Sequence, residues 1–156
     1  MRCFFLCLGT YYKKNNNNYF FIFAKTASTH HPFINPETKN RSEAEAFQYT
    51  DRQLGIFYDK LKKEGFFEKG VLIIVGDHHA MVPLKKEEID AFGPLKGVAK
   101  IPMIVSYGDK AHYVENDQYQ QIDIFNSLKG IVTGHQCYSI WIGDIFGNIT
   151  PKYILH

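Results

Sequence analysis

Five consecutive aliphatic residues, Val71 to Val75, carry no polar side chain at any position. A strand with one face in water alternates apolar and polar residues, so an unbroken apolar run is what a strand covered on both faces requires. Two covering layers imply helices on either side of a sheet, and the flanking sequence supplies them. Before this strand, Ser42 with Glu45 forms a capping-box pattern, and Phe47, Leu54, Phe57, Tyr58 and Leu61 recur at helical spacing until Gly65 stops the run. YFFIFAK, Tyr19 to about Lys25, is aromatic and β-branched and reads as a strand, and IPMIVSYG, Ile101 to Gly108, reads as another. A helix follows from Gln120 to about Val132, whereas the mixed charged and Gly/Pro stretch Met81 to Lys100 reads as a connection. Strands alternating with helices predict an α/β fold: a mainly parallel sheet with helices on both faces, spanning residues 19–156 behind an irregular N-terminal segment, residues 1–18.

The length of 156 residues is that of one domain, long enough to bury about two thirds of the unfolded chain's surface. A formal charge of +2, with Lys and Arg interspersed among Asp and Glu, argues against nucleic acid or an anionic membrane surface as partner. Cys3, Cys7 and Cys137 make neither a disulfide framework nor a zinc-ribbon spacing. The opening MRCFFLCLGT has no small-residue cleavage site and is too short to span a bilayer, so it reads as a strand or a ragged start cut from something longer.

Chemistry enters where the strands end. Val71–Val75 runs into Gly76, Asp77, His78 and His79, and the strand ending at Lys25 runs into a loop with His30 and His31. In open α/β sheets ligands bind beyond the carboxyl ends of the strands, and all five side chains fall there. One loop histidine after a strand is most simply an exposed residue; five metal-favouring groups on one edge make a candidate site. A hard carboxylate beside a borderline imidazole suits manganese, magnesium or zinc.

The segments FFIFAKTASTHHPF, FQYTDRQLGIFYDKLKKEGFFEKGVLIIVGDHH, IPMIVSYG and QIDIFNSL together resemble the carboxyl-terminal part of a sulfatase-fold enzyme of the alkaline phosphatase superfamily. The nearest pattern is that of the lipoteichoic acid synthase-like phosphoglycerol transferases, whose Ser/Asn-His-x-Pro-Phe, Tyr-x-Asp and Gly-Asp-His motifs correspond here to Ser28–Phe33, Tyr49-Thr50-Asp51 and Gly76-Asp77-His78. The resemblance implies a divalent metal (Mn, Mg or Zn) held partly by Asp77 and His78, with His30 contacting the phosphate or the leaving group. It implies a phosphate- or sulfate-ester substrate and a location at the periplasmic face of the inner membrane. His31 occupies a variable position of the motif, and His79 has no counterpart to carry over.

The family's nucleophile and a further acidic metal ligand belong to an earlier half of the domain, and neither Cys3, Cys7 nor Thr10 sits in a context that supports such a role. The expectation is therefore a fragment that binds metal weakly and is inactive alone, with the N-terminal half possible as a separate chain. Two alternatives stand beside it: a flavodoxin-like signalling domain, with Asp77 ending a strand as a phospho-acceptor would, and a stand-alone metal-binding protein using His30, Asp77 and His78 with His112 or His135. Asp123, Tyr49 and Asp51 read as structural positions, Asp123 by satisfying backbone amides at a helix start.

Overall fold

A computed structural model describes residues 3–13, 16–79, 83–108, 119–135, 139 and 142–146. The chain divides into two compact units, Met1–Lys110 and Ala111–His156. The first begins with strands β1 (Cys3–Lys13) and β2 (Asn16–Lys25), followed by helix α1 (Glu43–Lys63) and a 3-10 turn at Phe66–Glu68. Strand β3 (Val71–Gly76), helix α2 (Lys86–Ala99) and strand β4 (Met103–Tyr107) complete it.

The four strands form one sheet in the order β2-β1-β3-β4, and every neighbouring pair is antiparallel. The mainly parallel sheet predicted from the sequence is thus not what forms. Only two residues separate β1 from β2, and a connection that short closes only an antiparallel pair. Reading residues 1–18 as irregular leaves out β1, the strand that lies between β2 and β3 and opposes both. An all-apolar strand encodes burial of its two faces and says nothing of the direction of its neighbours. A flavodoxin-like domain needs a parallel, doubly wound sheet, so this ladder removes that alternative.

The burial reading itself holds. Leu72 and Ile73 point to opposite faces of β3 and both are fully buried. On the Leu72 face, Phe67 is buried with it, and Tyr58, Leu61, Phe66 and Ile74 pack around the pair. The rings of Tyr58 and Phe67 lie 5.0 Å apart, and the Ser106 hydroxyl of β4 lies 3.4 Å from the Tyr58 hydroxyl, tying α1 to the sheet.

Helix α1 starts where the sequence predicts. Ser42 is extended and its hydroxyl accepts the Glu45 N–H, while Gly65, at φ 69°, ends the element in the left-handed region that glycine enters without strain. The reciprocal half of the capping box is replaced: the Glu45 carboxylate turns to the side chains of Thr38 and Asn40. Helix α2 was legible only as a connection, because Gly93 (φ 75°, ψ 165°) and Pro94 divide it into two short turns of helix at 86–92 and 94–99. In the second unit α3 (Gln121–Thr133) matches the predicted helix. Among the described residues no helix is long and apolar enough to cross a membrane.

Candidate functional site

Register fixes where the two histidine-bearing loops begin. Lys25, the last residue of β2, and Val75 of β3 are both partners of Phe4 on the strand between them. β2 and β3 therefore run in the same direction and release their following loops from one end of the sheet, two strand spacings or about 10 Å apart. His30 and His31 follow one strand, and Asp77, His78 and His79 the other.

The first loop is held by its own hydrogen bonds. His30 N–H donates to the Ala27 carbonyl, Phe33 N–H donates to the His30 carbonyl, and Ser42 N–H at the start of α1 donates to the Phe33 carbonyl. Ser28 shares a 3.1 Å hydrogen bond with Thr50 of α1, and Asn35 accepts the Glu37 N–H in an Asx turn. Thr29 between them is fully buried, and its hydroxyl finds no partner among the described residues. His30 Nδ1 lies 2.6 Å from the His31 carbonyl oxygen. A carbonyl only accepts, so Nδ1 carries the proton, and Nε2 is the ring's one remaining polar atom. His31 is exposed, with its ring edge-on to Phe33 at 6.0 Å. A cavity of about 380 Å³ opens beside this turn, lined by Lys25, Thr26, Ala27 and His30.

The second loop repeats the device. His78 Nδ1 lies 2.6 Å from the His79 carbonyl oxygen and must donate to it. Asp77 Oδ1 accepts the His78 N–H at 2.9 Å, which turns the other carboxylate oxygen, Oδ2, to within 3.5 Å of His78 Nε2. In the neutral ring that nitrogen holds a lone pair, so two acceptors face each other. The contact is favourable only with a proton on Nε2 or a cation between the two atoms. A separation of 3.5 Å is close to the roughly 3.4 Å that two ligands about 2.1 Å from a tetrahedral ion would have. With the other ring nitrogen anchored on a carbonyl, as metal-bound histidines usually are, this pair fits two ligands of a divalent cation. The Asp77 side chain is 16% exposed and that of His78 is 42% exposed, so the site opens to solvent from the imidazole side. Among the described residues no group of three or more His, Cys, Asp or Glu side chains is gathered to hold a metal ion.

His79 has a different task. Its Nε2 lies 3.4 Å from Glu88 Oε1, and the other oxygen of Glu88 accepts the Lys85 N–H at the start of α2. The Lys85 amide and then His79 hold the Glu88 carboxyl below its ordinary value of 4.5. Glu88 was not legible as a partner in the sequence. The signal that could have found it is a glutamate three residues after Lys85 at a helix start, where a carboxylate meets unpaired amides.

The other candidate residues have settings of their own. Asp123, in the second unit, is fully buried; Oδ2 accepts the Gln120 N–H at 2.7 Å and Oδ1 the Gly143 N–H at 2.8 Å, the structural role its sequence position suggests. Asp51 is exposed on α1, and Tyr49 lies under the Arg52 guanidinium, 5.7 Å from its ring centre. His135 is exposed past the end of α3, and His112 lies outside the described residues.

No curated protein and no solved structure matches the chain. A family model does: the one described as Sulfatase matches residues 6–134, a span that contains β2, the His30 turn, α1, β3 and the Asp77–His79 loop. Because that match covers most of the 156 residues, the chain belongs to the sulfatase family, within the alkaline phosphatase superfamily.

Proposed function

We propose that the chain carries the cation-holding and anion-facing edge of a metal-dependent sulfatase-family enzyme. It acts on phosphate esters, by phosphoglycerol or phosphoethanolamine transfer, or on sulfate esters, in the periplasmic setting such substrates imply. One observation carries this reading: Asp77 Oδ2 and His78 Nε2 face each other at 3.5 Å while the opposite ring nitrogen is held by the His79 carbonyl. Asp77 and His78 would hold Mn, Mg or Zn. Bound there, such an ion polarises an ester oxygen and lowers the pKa of an attacking hydroxyl.

The chain's own residues supply orientation. The His79 carbonyl fixes the ring of His78, so that its lone pair and not its N–H faces Asp77. His30 meets the phosphate or the leaving oxygen through Nε2, which donates to it when the ring is protonated at both nitrogens. None of His30, Asp77 and His78 is the hydroxyl nucleophile that covalent transfer requires, and two ligands leave a metal short of its usual three protein donors. The remaining ligand and nucleophile come from outside this set, from further sequence or from a partner chain.

Calorimetric titration of the purified chain with Mn²⁺ and Zn²⁺ tests the reading. Weak binding that Asp77→Ala and His78→Ala each abolish, and that His30→Ala leaves unchanged, is expected. Tight stoichiometric binding would instead favour the stand-alone metal protein, and binding indifferent to Asp77→Ala would end the proposal.

A further inference from the structure

The neutral His78 ring carries one proton, and acceptors stand at both of its nitrogens. Nδ1 lies 2.6 Å from the His79 carbonyl oxygen, and Nε2 lies 3.5 Å from Asp77 Oδ2. A neutral imidazole adopts either tautomer, and the hydrogen bond at one nitrogen settles which. With the proton on Nε2 the ring would close on Asp77 and turn no lone pair toward a cation. With it on Nδ1 the lone pair faces the carboxylate and the place for a cation stays open. The nearer acceptor, the His79 carbonyl, therefore decides whether His78 can act as a ligand.

Residue 79 is itself tethered. Its ring is 16% exposed, and its Nε2 lies 3.4 Å from Glu88 Oε1. Glu88 is held below its ordinary 4.5, so near neutrality it is a carboxylate that only accepts, and His79 Nε2 carries the proton between them. The second oxygen of Glu88 takes the Lys85 N–H at 2.8 Å, which fixes the carboxylate at the start of α2. A path of contacts thus runs from the Lys85 amide to Glu88, to the His79 ring and, through the backbone of residue 79, to the Nδ1 proton of His78.

We infer that Glu88 is a positioning residue for His78: by holding His79 it keeps the His79 carbonyl on Nδ1, and so keeps the Nε2 lone pair turned to Asp77 for a cation. The part played by the cation rests on the function proposed above, whereas the choice of tautomer does not need it. Outer partners of a ligating histidine are worth about 10–100-fold in metal affinity, and the partly exposed Glu88 belongs at the low end of that range.

Nitrogen-15 NMR of the full chain in EDTA, at a pH where the histidine rings are neutral, reads the His78 tautomer, and calorimetric titration with Zn²⁺ after removal of the chelator reads affinity. Wild type should show His78 protonated at Nδ1. Glu88→Asp is the informative variant: Asp123, at the matching position of α3, accepts the Gln120 N–H, so a shorter carboxylate there keeps the helix start while withdrawing from His79. It should move the His78 ring nitrogens toward a mixture of tautomers and weaken Zn²⁺ binding about tenfold. His79→Leu should do the same, and His79→Gln, whose amide donates to Glu88 in place of Nε2, should stay near wild type. Glu87→Asp, exposed beside it on α2, should change neither reading.

A wild-type His78 protonated at Nε2, or a tautomer indifferent to Glu88→Asp, would overturn the inference, as would His79→Gln proving as damaging as His79→Leu. A shifted tautomer with Zn²⁺ affinity unmoved would overturn its link to cation binding. Loss of Zn²⁺ binding in Glu88→Asp as complete as in Asp77→Ala, with the tautomer unmoved, would make Glu88 a ligand instead. If wild type binds no Zn²⁺ while the tautomer still follows Glu88, the metal reading fails and the positioning by Glu88 stands.

Discussion

Removing the Asp123 carboxylate should cost the second unit about 3 kcal/mol. The residue is fully buried, and its two oxygens accept the N–H groups of Gln120 and Gly143 at 2.7 and 2.8 Å. Asp123→Ala leaves both donors without an acceptor. Gly143 is itself buried, so its orphaned N–H bears a desolvation penalty of about 2 kcal/mol; Gln120 is half-buried and reachable by water, for which about 1 kcal/mol is appropriate. Asp123→Asn retains one acceptor and should lose about half as much. The same corner is held by Ser127, whose hydroxyl donates to the Asp123 carbonyl and accepts the Ile145 N–H, so a partial collapse of the 142–146 segment would add to the loss. Urea unfolding followed by far-UV circular dichroism and by fluorescence of Trp141, the single tryptophan, reads the change as a shift in midpoint at constant slope. A loss below about 1 kcal/mol for Asp123→Ala would refute the accounting. A loss that appears only with Mn²⁺ present would make Asp123 a metal ligand instead of a structural acceptor.

Gly70→Ala should destabilise the first unit by about 1–3 kcal/mol, because an added Cβ would lie 2.5 to 2.7 Å from the Phe66 ring, which is backed edge-on by Phe67 at 5.4 Å. Urea unfolding measures it, and Phe66→Leu in the same chain should recover part of the loss. Glu88 predicts a pH dependence. Its carboxyl is held below 4.5 in the folded chain by the Lys85 amide and His79, so its contribution is present above that ordinary value and is lost as pH falls through the lower folded one. The stability difference between wild type and Glu88→Gln should be constant near neutrality and should shrink as pH drops below about 4.5; a difference independent of pH would refute it.

What the sequence revealed and what it hid divide along physical lines. Local signals survived: Ser42 caps α1, Gly65 ends it, and the apolar run at Val71–Val75 is buried on both faces, since each depends on residues close in the chain or on burial alone. Strand direction did not survive, because it is set by the short β1–β2 connection and by which strand inserts between β2 and β3. α2 was hidden by Gly93 and Pro94, which break helical periodicity in a segment too short to show it twice. At the candidate site, the residue types and their common edge were legible for His30, Asp77 and His78. The tautomers were not, since they depend on the carbonyls of His31 and His79 folding back onto the preceding rings. Glu88 was hidden for a related reason: it meets His79 only through the turn of the chain between them.

The two histidine turns set one local device in different surroundings. In both, the ring's Nδ1 is tied to the carbonyl of the next residue at 2.6 Å, leaving Nε2 as the ring's other polar atom. That bond makes the two imidazoles equivalent in tautomer, so neighbours alone decide what each one attracts. His78 Nε2 faces a carboxylate oxygen of Asp77, and two electron-rich atoms 3.5 Å apart create a demand for positive charge between them. His30 lines a cavity with Lys25, Thr26 and Ala27, and none of these described neighbours is a carboxylate. Since β2 and β3 end together at one edge of the sheet, the loops that carry the two imidazoles leave it about two strand spacings apart. An antiparallel strand between the two parallel-running ones sets that spacing as well as a parallel strand would, so the common edge does not depend on the direction of β1.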